Sequence, residues 1–253
     1  MRKGKSISIV ICLLTVLFLL DSSYALLTDN LDGTVTQVRN DDSVLMWLQD
    51  ANLAATSGFC SGGNCLDNKG MVTWDQVNNW IAYLNDTNYA GHNDWRLPVS
   101  LPVNGTSHNW NWSYDGSTDR GWNITSPNSE MAYLFYVELG NKGEYDTDGK
   151  YQPGFSSSNS MGLFTNITNF YDPDAAFADG CYWSSTDAAG GGDYDKVGFN
   201  FGLGRQYGAY FPGYGGNHGW AVRNATLVPE PTSLILVATG LAGLGFFRKR
   251  FKK

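Results

Sequence analysis

The stretch from Val72 to Pro98, VTWDQVNNWIAYLNDTNYAGHNDWRLP, constrains this chain more than any other. Thr73 stands where a helix N-cap would, and Gln76 can reach back to it, the reciprocal pair of a capping box. Val77, Trp80, Ile81 and Leu84 recur at helical spacing and define one apolar face. Asn85, Asp86 and Gly91 supply turn chemistry, and Asp94-Trp95-Arg96-Leu97 then runs extended to Pro98. Trp95 and Leu97 are expected in the core, with Asp94 and Arg96 paired or bonded to backbone. His92 beside Asp94 and Arg96 invites a catalytic reading, but the alternation around Trp95 is that of packing. The stretch is therefore expected to be a structural hub.

Before the hub, Thr34 to Val38 and Val44 to Leu48 are rich in β-branched and apolar residues, and a polar run from Arg39 to Ser43 joins them. This predicts a β-hairpin. Cys60 and Cys65 enclose Ser-Gly-Gly-Asn. A disulfide there would stabilise by roughly 2 kcal/mol in the chain-entropy model. The other reading is half of a metal site, which needs two further ligands, and only Cys181, His92, His108 and His218 are on offer. The disulfide is the expectation, with Cys181 left as a buried thiol.

After the hub comes a long irregular segment, Ser100 to Thr125, carrying Trp110, Trp112, Tyr114 and Trp122 among Asn, Ser and Asp. Loops of this length inside a domain are often functional. Ring faces pack on sugar C–H groups while amides bond hydroxyls, so these four aromatics are the candidate ligand-binding residues. The other reading is that the rings pin the loop to the core. A second helix is expected from Ser126-Pro127, burying Met131, Leu134, Phe135 and Leu139 and stopping at Gly140. Glu144, Asp146 and Asp148, and again Asp172, Asp174 and Asp179, resemble parts of calcium loops without the closing bidentate Glu. Solvated turns are expected at both places, with calcium as the alternative; no metal ligand set is assigned.

From Gly180 onward the chain reads as strands: Cys181 to Thr186, then Val197, Phe199 and Phe201 in alternation, Gln206 to Phe211, and Trp220 to Arg223. Glycines 190 to 192 and the run at 213 to 216 follow no phosphate-loop pattern. Thirty glycines and 42% hydrophobic residues suit a loop-rich α+β domain with a full core.

Charge divides the chain. Of 17 basic residues, eight lie in the terminal segments, leaving 9 between positions 26 and 224, where 22 of the 24 acidic residues sit; the centre carries about −13. That excludes nucleic acid as an expected partner, since a polyanion needs a basic footprint. Residues 1–25 have a basic start, an apolar run from Ile7 to Leu20, and small residues ending at Ala25, the expected signal-peptide cleavage site.

Several of these pieces, taken in order, resemble one family. Asp32-Gly33-Thr34-Val35-Thr36, Leu45-Met46-Trp47, Thr73-Trp74, Tyr89-Ala90-Gly91, Asp94 to Pro98, Tyr182-Trp183-Ser184-Ser185 and Trp220-Ala221-Val222-Arg223 resemble DUF1566, also called the Lcl C-terminal domain. The resemblance covers residues 26–224. It implies a C-type-lectin-like α+β fold, with two helices, a small antiparallel sheet and long loops bearing the binding surface. Fold carries shape and not ligand, so sugar binding does not follow from the resemblance.

At the C-terminus, Val228-Pro229-Glu230-Pro231 precedes an apolar run from Ser233 to Phe247 and the basic tail from Arg248 to Lys253. Residues 225–253 resemble a PEP-CTERM sorting signal. That implies a single C-terminal transmembrane helix, an inner-membrane-anchored precursor in a Gram-negative bacterium, and processing by an exosortase near the tetrad. The product is then expected at the cell surface or in the extracellular matrix. No H-E-x-x-H, nucleophile elbow or ordered Ser-His-Asp set occurs, so no catalytic residue is assigned and the protein is not expected to be an enzyme. No cofactor is expected. The expectation is an exported, non-catalytic module binding carbohydrate or protein in association with exopolysaccharide. The alternatives are a matrix protein without a ligand and, after it, a polysaccharide-acting enzyme.

Overall fold

Two β-rich segments at opposite ends of the domain build its first sheet. The computed structural model describes residues 26–155, 159–168, 180–188, 196–207 and 216–226. The expected signal peptide with Ala25, the segment bearing Val228, Pro229, Glu230 and Pro231, the expected transmembrane helix and Asp172, Asp174 and Asp179 lie outside these residues. Leu26–Asp29 (β1), Thr34–Val38 (β2) and Val44–Leu48 (β3) pair antiparallel in order, and the late strand Val222–Ala225 (β11) pairs antiparallel with β3. The hairpin β2–β3 has the bounds that residue type alone suggests. Asp32 fixes its entry by accepting from the Thr34 amide and hydroxyl, at 3.0 and 2.5 Å. Its turn closes through Asp42 N to Arg39 O at 3.0 Å, with Asp42 in the left-handed region at φ 62°.

Among the described residues the second sheet has seven strands: Met71–Val72 (β4), Trp112–Ser113 (β5), Arg120–Gly121 (β6), Cys181–Asp187 (β7), Lys196–Asn200 (β8), Arg205–Tyr207 (β9) and Asn217–His218 (β10). Their order is β4-β10-β7-β8-β9-β6-β5. β7, β8 and β9 form an antiparallel meander, whereas β10–β7 and β5–β6 run parallel. One small antiparallel sheet was the expectation; the described residues form two sheets, with parallel pairings in the larger. Two-residue strands carry too little pattern to announce themselves, and their partners lie far away along the chain.

Helices cover the sheets. Leu53–Thr56 (α1) is a single turn, and the 3-10 turn Phe59–Gly62 follows it. Trp74–Asp86 (α2) starts with the complete capping box of Thr73 and Gln76. Val77, Trp80 and Leu84 are buried and Ile81 half-buried, as the helical spacing requires. The second principal helix begins at Glu130 rather than at Ser126-Pro127: Glu130–Tyr133 (α3) widens into a π-helical turn over Leu134–Glu138. The backbone explains the late start. Residues 128–130 bond to the extended chain instead, through Leu101 N to Asn128 O at 2.8 Å and Glu130 N to Val99 O at 3.1 Å. Leu139 N bonding Leu134 O at 3.0 Å marks the widened turn, and Gly140 at φ 61° ends it. Met131, Leu134 and Phe135 are buried, and Leu139 is half-buried.

The core is aromatic. Trp47 and Trp220 meet at 5.2 Å, and Trp220 also touches Phe164, Tyr182 and Phe201. Two buried indole N–H groups find backbone carbonyls: Trp220 donates to Leu48 at 2.8 Å and Trp183 to Val72 at 2.9 Å. The hub segment locks the layers together. Asn85 accepts from Trp95 N at 2.7 Å and donates to Trp95 O at 3.0 Å. Arg96 exchanges two backbone bonds with Val222, both 2.9 Å, while its guanidinium makes a bidentate pair with buried Glu130 at 2.8 and 2.8 Å. Among the described residues no helix is long and apolar enough to cross a membrane.

Candidate functional site

The loop from Ser100 to Thr125 is irregular but anchored at its base. Asp119, 1% exposed, accepts from Val103 N at 2.7 Å and Asn109 N at 2.6 Å. Its carbonyl accepts from Gln206 Nε2 at 2.9 Å, and Gln206 accepts in turn from Ser129 at 2.5 Å. The loop is thus bolted to β9 and to the start of α3. Thr118 Oγ1 adds hydrogen bonds with Asn111 O and Ser113 Oγ, both 2.8 Å. β5 and β6 approach so closely at Gly121, φ 126°, that a Cβ there would lie 1.8 Å from the Ser113 carbonyl oxygen. Only glycine fits.

That frame gathers three of the four aromatics singled out in the sequence. Tyr114 stacks on Trp122 at 5.1 Å and 3°, and Trp112 stands edge-on to Trp122 at 4.8 Å. Tyr145 braces Trp122 from another side at 4.7 Å, and Tyr151 and Phe155 continue the row. The rings differ in access. Trp122 is 2% exposed, a floor rather than a contact surface, whereas Trp112 is 40%, Tyr114 36% and Tyr151 56% exposed. Trp110 lies with a different partner: it stacks on His108 at 4.7 Å, and His108 Nε2 bonds the Ser100 carbonyl at 3.0 Å. A depression of about 420 Å³ opens beside the row, lined by Lys142, Tyr151, Gln152, Pro153, Gly154 and Phe155.

Two guanidiniums complete the platform. Arg120 lies 5.2 Å from the Trp112 ring centre, and Arg205 lies 5.5, 5.4 and 3.9 Å from Trp112, Trp122 and Tyr207. The other described arginines, Arg39, Arg96 and Arg223, each pair with a carboxylate. Arg120 and Arg205 have no carboxylate within 4.0 Å among the described residues, and the Nε of each is buried without a partner there. Burial pushes the Glu144 carboxyl above the usual carboxylate range, with nearby Arg205 pulling the other way. Burial likewise pushes the Tyr207 hydroxyl up. Arg120, Arg205, Tyr145 and Tyr151 escaped the sequence reading. Arg120 sits two residues before Trp122, but nothing along the chain relates Arg205 or the Tyr145–Tyr151 turn to it.

The remaining candidates fall elsewhere. Cys60 and Cys65 are joined, S–S 2.01 Å, and buried Cys181 accepts from Asn200 Nδ2 at 3.3 Å. Asp146 spends one carboxylate oxygen on the Asp148 and Lys150 amides, a turn. Among the described residues no group of three or more His, Cys, Asp or Glu is placed to hold a metal. The histidines are scattered: His92 packs on Trp95, His108 on Trp110, and His218 beside Tyr182 in the core. The arrangement exposes the Trp112, Tyr114 and Tyr151 rings over the buried Trp122.

Residues 227–250 match the PEP-CTERM protein-sorting motif. No curated protein and no solved structure matches the chain. The motif marks an exported protein whose membrane-anchored precursor is processed by an exosortase.

Proposed function

We propose that the processed protein is a non-catalytic carbohydrate-binding module of the cell surface or extracellular matrix of a Gram-negative bacterium, with exopolysaccharide as its ligand. The carrying observation is the outward exposure of Trp112, Tyr114 and Tyr151 on a rigid base formed by Trp122 and Tyr145. A sugar ring stacks on such faces at little entropic cost, because the rings are already held. The exposed Asn111, next to Trp112 in the chain, offers an amide for hydroxyls. On this reading the domain belongs with the DUF1566 proteins and is lectin-like in shape, and its loops carry the contact.

The test is retention of the secreted protein on the host's own exopolysaccharide. Wild type is expected to bind, and Trp112→Ala combined with Tyr114→Ala to weaken binding at least tenfold while circular dichroism stays unchanged. Absence of binding by wild type, or equal binding by the double variant, overturns the reading. A structural matrix protein without a ligand is the second reading, and the burial of Trp122 favours it, since that ring serves the loop alone. It predicts that the double variant leaves matrix retention untouched.

A further inference from the structure

The register of the first sheet determines where the sorting motif leaves the domain. Ala225, the last residue of β11, pairs with Val44, the first of β3. Leu26, the first residue of β1, pairs with Val38, the last of β2. Val38 and Val44 flank the Arg39–Ser43 turn. Both outer strands therefore make their outward connections at one end of the sheet, beside that turn. Three strand spacings separate them, about 14 Å. The other end of the sheet carries the turn from Asn30 to Gly33, with Leu31 89% exposed.

Almost no slack follows β11. The sorting motif begins at residue 227, one residue past Thr226. From Ala225 to Val228 is three residues, at most about 11 Å of extended chain. A peptidase that engages the motif must come within that reach of the folded end. The surface there has a shape of its own. A depression of about 570 Å³ runs between the turn and the last strand, lined by Arg39, Asp42, Ser43, Val44, Leu45, Asn224, Ala225 and Thr226. Arg39 forms its firm side, donating to Ser43 Oγ and the Pro127 carbonyl, both at 2.6 Å. Asn40, Asp41 and Asp42 are exposed around it.

We propose that this end of the sheet, the Arg39–Ser43 turn with Asn224 to Thr226, is the surface on which the membrane-bound processing peptidase seats the precursor. The short tether imposes the contact, and the groove beside the last strand receives it. Exposed Asp41 and Asp42 disfavour an anionic lipid surface as the occupant. The inference stands apart from carbohydrate binding, which is assigned to different residues.

Site-specific photocrosslinking of the full-length precursor tests it. The cells carry an epitope-tagged, catalytically inactive exosortase, so that the precursor is retained. A benzophenone side chain at Asn40 is expected to give at least fivefold more adduct with the tagged exosortase than one at Leu31, at the far end of the same sheet. Inserting twenty Gly/Ser residues between Thr226 and Leu227 is expected to reduce the Asn40 adduct to the Leu31 level. Equal adducts from both positions, adducts with lipid alone, or an Asn40 adduct undiminished by the insertion would each overturn the proposal. Both probes sit on exposed turns, and protease resistance of the domain in the retained precursor verifies that each variant folds.

Discussion

The hub, Val72 to Pro98, and the loop that follows it, Ser100 to Thr125, are neighbours of similar length, each rich in Trp and Asn. They use those residues in opposite ways. In the hub, polar groups find defined partners: Asn85 with Trp95, the Trp95 indole with Tyr89 O at 3.1 Å, and Arg96 with Glu130 and Val222 from other elements. Only Trp80 Nε1 is buried without a partner among the described residues of that stretch. In the loop, Asp119 secures the base, but the Nε atoms of Trp122 and Arg120 are buried without partners, as is Arg205 Nε beneath them. The hub's charged groups Arg96 and Asp94 are paired, Arg96 with Glu130 and Asp94 with Arg223. The ring platform instead leaves large ring faces of Trp112, Tyr114 and Tyr151 exposed.

That contrast can be broken by substitution. Arg96→Ala leaves Glu130 as a buried carboxylate without its cation, and should cost about 3–5 kcal/mol in urea unfolding with no specific effect on ligand retention. Trp122→Ala removes the floor of the platform and should cost a similar 3–5 kcal/mol, while Trp112→Ala, which touches the same ring, should cost about 1 kcal/mol. Equal costs for the two tryptophans would erase the distinction between floor and face. Asp119→Ala strands two backbone N–H groups and should cost about 2–3 kcal/mol. Limited proteolysis should then cut between residues 104 and 117 before the hub is touched.

Smaller effects separate the charges. Arg223 hydrogen-bonds the exposed Asp94 carboxylate and holds its carboxyl below the usual range. A depressed folded value stabilises above the unfolded pKa and is lost as pH falls through the folded one. Arg223→Ala should therefore cost under about 1 kcal/mol at pH 7, and wild type and variant should converge in acid, below about pH 4. Glu138 has the opposite sign. Burial raises its carboxyl, with Gln37 and Arg39 opposing. Its contribution is greatest below the unfolded value and falls as pH rises through the folded one. Glu138→Gln keeps an acceptor for Gln37 and removes the charge. It should raise the melting temperature slightly, by about 1–2 °C at pH 7, with the gain fading in acid.

Local chemistry made much of the fold legible. The hairpin at 34–48 and the capped helix at 74–86 stand where alternation and capping place them, because both are specified by contacts within a few residues. The second helix was legible in its buried face and its stop at Gly140. Its start was not, because backbone bonds to residues 99–101, thirty positions upstream, outcompete the local Ser-Pro signal. The platform was legible only in part. Trp112, Tyr114 and Trp122 lie within eleven residues of one another, whereas Arg205 and Tyr145 reach them only through the folded sheet.

By itself, the sequence determined the capped helix, the early hairpin, the acidic centre and the sorting motif, since each depends on neighbours along the chain or on composition. The tertiary structure alone decided which of the tryptophans is floor and which is face, because exposure depends on partners brought from elsewhere. It alone placed the last strand against β3 and brought both outward connections to one end of the sheet. Strand pairing over more than 170 residues leaves no trace in local pattern; it is settled by register and by the burial of the faces that register chooses.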